Sequence, residues 1–137
     1  MEQLMQNFIG SWRLVSFEET QPDGEILHPY GEFPAGLLIY DSTGHMSVQI
    51  MRRDRPQTSS DPDRASADEI NKILEGFTAF FGAYEINEAN QTVIHHVEGH
   101  LLPDSVGKSL RRSFEFSGDR LILKPTQARR VTWERIK

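Results

Sequence analysis

The residues best equipped for chemistry crowd into one stretch: His95, His96, Glu98 and His100 lie between Gln91 and Leu101, and Arg111 and Arg112 follow shortly after. In an extended strand alternate side chains share a face, so Thr92, Ile94, His96, Glu98 and His100 stand on one side and Val93, His95, Val97, Gly99 and Leu101 on the other. The adjacent histidines therefore do not act as a pair. His96-x-Glu98-x-His100 invites a metal reading, because imidazole and carboxylate are good zinc or iron ligands. Strand geometry limits it: neighbours on one face are roughly 6.5 to 7 Å apart and the outer two about 13 Å, so a third ligand has to come from another strand, and no metal is assigned. His96 and Glu98 remain the candidate acid and base. In the next strand Arg112, Phe114 and Phe116 alternate with Arg111, Ser113 and Glu115, and the second set is the wet one. An inward arginine needs a partner, since an unpaired buried charge costs several kcal/mol. Glu98 is the natural counterion, with Glu85 behind it. The expected ligand-binding cluster is thus interior: His96, Glu98 and Arg112, with Tyr40, Gln49 and Tyr84 as lesser members and Phe114 and Phe116 as its apolar wall.

The elements that must position these residues are short alternating runs joined by tight turns, the pattern of an antiparallel meander. Residues 10 to 19 lead into Gln21-Pro22-Asp23-Gly24; residues 36 to 41 and 45 to 52 flank Ser42-Thr43-Gly44; residues 83 to 87 and 91 to 102 meet at Glu88-Ala89-Asn90; residues 108 to 116 and 120 to 124 flank Ser117-Gly118-Asp119. With a final strand at 129 to 136, the fold class is mainly β, an up-and-down barrel of eight or nine strands. One long helix interrupts it. After a polar loop containing Pro56 and Pro62, the only stretch expected to be disordered, Ser66 and Glu69 form a capping box. Ile70, Ile73, Leu74, Phe77, Phe80 and Phe81 then follow at helical spacing up to Gly82, which predicts a helix over about residues 66 to 81 with its aromatic stripe against the barrel. A strand starting at Phe77 would put apolar side chains on both faces. A helical turn is also expected at Glu2 to Phe8, with Leu4, Met5 and Phe8 facing inward.

Gly10-Ser11-Trp12 at the opening of the first strand resembles the lipocalin signature, in which the tryptophan closes the barrel floor and an arginine from the last strand packs across its ring. Arg135 is the candidate for that arginine, with Arg129 as the alternative. A longer set of segments carries the resemblance further: Gly10 to Ser16, His28-Pro29-Tyr30-Gly31, Gly36 to Tyr40, Met46 to Arg52, Phe81 to Glu85, His95 to Gly99, Leu121-Ile122-Leu123 and Trp133-Glu134-Arg135. In this order the chain resembles the bacterial and fungal lipocalin-like domain family of small stand-alone proteins. That resemblance implies the barrel, and the wider barrel class holds both ligand carriers and cyclases. Where the family pattern implies Pro-Asn-Trp-Val-Gly, this chain has Pro103-Asp104-Ser105-Val106-Gly107, so an aromatic is missing at position 105.

Composition narrows the rest. One domain over residues 1 to 137 is expected, large enough to bury roughly two-thirds of its unfolded surface. There is no cysteine, which removes disulfides, thiolate metal sites and cysteine nucleophiles. Fifteen Lys and Arg against twenty Asp and Glu give a formal charge of −5, which repels nucleic acid. Without a leader pattern or a membrane-spanning run, the expected location is cytoplasmic, away from the membrane. No nucleophile elbow, phosphate loop or dinucleotide fingerprint is present, and no cofactor is implied. The leading expectation is a barrel that binds a small, largely apolar molecule with one polar or anionic group that Arg112 could meet. An isomerase or cyclase using His96 and Glu98 is the alternative, and a filled barrel acting through oligomerisation is the second. For a homo-oligomer, the edge strand around residues 25 to 30 is the expected pairing site.

Overall fold

A computed structural model describes residues 2–55 and 66–137, so the expectations for Pro56, Pro62 and the expected disordered stretch fall largely outside the described residues. The chain runs α1 (Glu2–Phe8), β1 (Gly10–Thr20), β2 (Ile26–Leu27), β3 (Ala35–Tyr40), β4 (His45–Met51), α2 (Ala67–Glu75), β5 (Phe77–Asn87), β6 (Thr92–His100), β7 (Ser109–Ser117), β8 (Arg120–Lys124) and β9 (Arg129–Arg135). Every strand pairing is antiparallel, in the order β2-β1-β3-β4-β5-β6-β7-β8-β9, and β1 also pairs with β9. That last ladder closes an eight-stranded barrel and leaves β2 as an extra strand against the end of β1. Closure is what an alternating meander gains from joining its ends, since it leaves no unpaired edge in the ring. No helix among the described residues is long and apolar enough to cross a membrane.

The floor is built by the N-terminus. Phe8 at the end of α1 is fully buried, edge-on to Tyr40, Phe114 and Phe116 at ring separations of 5.3, 4.9 and 5.0 Å. Its carbonyl accepts a 3.0 Å hydrogen bond from the indole of Trp12, and the Arg135 guanidinium lies 4.2 Å from the centre of the Trp12 ring. Arg135 also donates to the carbonyls of Ile9 and Asn7, tying the chain entry to the last strand. Gly10 between them has φ +138°, a backbone conformation that residues with a side chain rarely adopt, with the Arg135 guanidinium close by.

The long helix is the main correction. Ser66 does form the capping box with Glu69, but α2 ends at Glu75 and Gly76 caps it. Phe77 opens β5 instead, paired with Met51 in a ladder that runs on to His45 opposite Ala83. The objection to a strand, apolar side chains on both faces, is met by local covers. Phe80 turns inward, the outward Phe81 lays its ring over Gly99 on β6, and Phe77 carries the Arg55 guanidinium 4.9 Å from its centre. A run of aromatics satisfied on both sides prefers the pleated ladder to a helix. With Phe77, Phe80 and Phe81 gone from its stripe, α2 buries none of its residues, and Ile70 and Leu74 are each 41% exposed.

Candidate functional site

Strand direction divides the barrel interior into two ends. Gly10, Tyr40, His45, Asn87, Thr92, Ser117, Arg120 and Arg135 end their strands at the aromatic floor, and Thr20, Ala35, Met51, Phe77, His100, Ser109, Lys124 and Arg129 end theirs at the opposite mouth. The floor is packed solid around Phe8 and Trp12, whereas the upper half encloses a cavity of about 200 Å³. Buried Leu38, Val48, Leu123, Val131 and Trp133 form its inner walls, and partly exposed Tyr30, Phe80, His100 and Pro125 stand nearer the opening. Its polar side chains include Arg112, His95, His100 and Arg129.

Arg112 shares the inward face of β7 with Leu110 and Phe114, as the alternation requires. Among the described residues no acid lies within ion-pair distance of it and no acceptor takes a hydrogen bond from it; its interactions are electrostatic, with Tyr40, Arg129 and His95. Burial pulls its pKa below the ordinary arginine value, opposed by Tyr40 and reinforced by the Arg129 cation. Arg129, at the mouth, is already held by Glu19 at 2.8 Å and lies 5.9 Å from the Phe17 ring centre.

The expected counterion is on the other side of the wall. On β6 the inward set is Val93, His95 and Val97, and His96 and Glu98 point outward. His96 there bridges Ser109 Oγ at 2.9 Å through Nδ1 and Glu85 Oε1 at 2.8 Å through Nε2, a polar ladder across three strands. Glu98 is exposed and Gln49 is exposed, so neither joins Arg112. The histidine that does enter is His95, 2% exposed, whose Nε2 is 2.7 Å from the Tyr40 hydroxyl. Burial, then the charges of Arg112 and His96, push its pKa down to about 3, so it is neutral at physiological pH. Tyr40 is shifted the opposite way, raised by burial.

His100 reaches the cavity for a different reason. Gly82 pairs with Val97 while Phe81 pairs with Gly99, so Glu98 is an extra residue, a bulge that flips the alternation beyond it. His100 therefore turns inward and stacks on Phe80, with rings 5.3 Å apart and nearly parallel, and its Nδ1 accepts from the Leu102 amide. The bulge also breaks up His96-x-Glu98-x-His100, whose members end on different faces; among the described residues no three His, Asp or Glu side chains gather to hold a metal. Tyr84 is buried but donates to the Asp41 carbonyl at 2.7 Å, and Phe114 and Phe116 belong to the packed floor. Val93 and Val97 flanking His95 were the signal for the correct face: two valines in alternation outweigh one isoleucine on the other side. The bulge had no comparable signal.

A closed up-and-down barrel with an indole and guanidinium sealing one end and a cavity open toward the other defines a lipocalin-like ligand-binding barrel. The sequence bears this out: the family model of the lipocalin-like domain matches residues 9–136, and the chain belongs to that family. No curated protein matches the sequence.

Proposed function

We propose that the barrel binds a small, largely apolar molecule through an anionic group seated at Arg112. The single observation that carries this reading is a half-buried guanidinium that lines a mostly apolar cavity and has no acid beside it among the described residues. A cation drawn partly out of water without a partner gives up hydration for nothing, and a fold that retains one gains from an anion that arrives with the ligand. A volume of about 200 Å³ falls below the roughly 300–1,000 Å³ of drug-sized pockets, which favours a guest near the size of a short fatty acid or a one-ring acid. The cavity weighs against the filled-barrel alternative, and the outward placement of His96 and Glu98 weighs against the isomerase alternative.

The test is isothermal titration at pH 7 with phenylacetate and octanoate, each against its uncharged amide. The acids are expected to bind at least tenfold more tightly, and Arg112→Met to abolish that preference. Equal binding of acid and amide, or no binding by either acid, would sink the reading.

A further inference from the structure

We propose that His95 supplies the second donor to the same oxyanion and that Tyr40 is the positioning residue that makes it one; this rests on the reading that an anion sits at Arg112. The ladder between β6 and β7 sets Val93 opposite Arg112 and His95 opposite Leu110. His95 and Arg112 are thus diagonal neighbours on the inward face, a separation that an aromatic and a long side chain both span. A planar carboxylate placed between them offers one oxygen to each.

The hydrogen bonding fixes which imidazole nitrogen is available. A neutral imidazole carries one proton, on Nδ1 or on Nε2. Tyr40 has its hydroxyl 2.7 Å from Nε2. If Nε2 held the proton, the Tyr40 proton would have no acceptor among the described residues, and Nδ1 would present a bare lone pair beside the Arg112 cation. No hydrogen bond joins Arg112 to Nδ1. If Tyr40 donates to Nε2, one group is left over, an Nδ1–H donor, and Nδ1 is indeed buried without a partner. Burying such a donor unsatisfied costs about 1–3 kcal/mol, and an incoming carboxylate oxygen removes that cost. The other unpartnered buried donor of the cavity wall, the Trp133 indole, stands on β9, two strands from Arg112. It is not placed to share the same carboxylate.

The recognised class is therefore a carboxylate with an apolar body, held by a cation and a neutral N–H together. A long-range proton–nitrogen correlation spectrum of the intact protein at pH 7 should show His95 protonated at Nδ1. Saturation with phenylacetate should move that proton downfield and slow its exchange. Tyr40→Phe should mix the tautomers and weaken phenylacetate binding several-fold with phenylacetamide unchanged, and His95→Phe should weaken it about tenfold. An Nε2-protonated His95 in the free protein, or an Nδ1 signal indifferent to phenylacetate, overturns the proposal by spectroscopy alone, even where a variant fails to fold. If both variants keep the full preference for acid over amide and Arg112→Met loses it, the His95 proposal fails and the Arg112 reading stands. If no acid binds the native protein, both fall together.

Discussion

At the scale of single residues the protein keeps two ionisable groups, His95 and Arg112, where charge is costly, and for the first this has a measurable consequence. His95 is the cleaner case. Its pKa in the folded chain is about 3, against about 6.5 for an unfolded histidine. Between those values the unfolded chain binds the proton that the folded chain refuses, so stability rises with pH in that window and is lost as pH falls from 6.5 toward 3. The loss is on the order of 5 kcal/mol if no other group compensates. Urea unfolding at pH 7 and at pH 4.5 should show this slope, and His95→Gln should flatten it; equal slopes in the two proteins would show that His95 is not held neutral. Arg112 was legible from its company with Phe114 and Phe116, because a charged residue on an apolar face has few structural explanations. Its expected partner Glu98 lies outside, because the Val93 and Val97 alternation turns His95 inward and leaves His96 and Glu98 on the outer face.

At the scale of elements, the turns and alternation that predict a barrel were read from nearest-neighbour chemistry, and the hairpins fall where those turns lie. Two errors came from features that alternation does not encode. Phe77 to Phe81 fit a helical stripe better than a strand on spacing alone, and the ladder to β4 and the glycine beneath Phe81 decide for the strand. The bulge at Glu98 is the second, and Gly82 makes it structurally binding. A Cβ at Gly82 would lie 1.8 Å from the His96 carbonyl oxygen, which no rotamer relieves because both atoms are backbone-fixed. Gly82→Ala should therefore cost more than about 3 kcal/mol or shift the β5–β6 register, well above the cost of an ordinary substitution. Chemical denaturation gives the magnitude, and amide exchange along β6 shows whether His100 leaves the cavity. A loss below about 1 kcal/mol with unchanged exchange would mean that the close approach at Gly82 does not hold the bulge.

For the whole molecule, the uneven filling of the barrel is the feature that separates a binding protein from a structural one. The floor is stapled by Trp12, Arg135 and Phe8, each tied to more than one element, while the upper half leaves about 200 Å³ unfilled between walls that include Leu38, Val48 and Val131. A void of that kind forfeits dispersion contacts along its lining, so a barrel selected for stability alone gains by filling it. Val48 is 4% exposed on β4 and lines the cavity, so a larger side chain there grows into empty space and not into the neighbouring strand. Val48→Phe should thus leave the fold intact, hold or raise the thermal midpoint by a few degrees, and remove most of the binding of phenylacetate and octanoate. The opposite pattern, a large drop in midpoint with binding preserved, would mean that the space is closed by local adjustment in solution and that the ligand sits elsewhere. Stability and binding respond in opposite directions only if the unfilled half of the barrel is kept open for a guest.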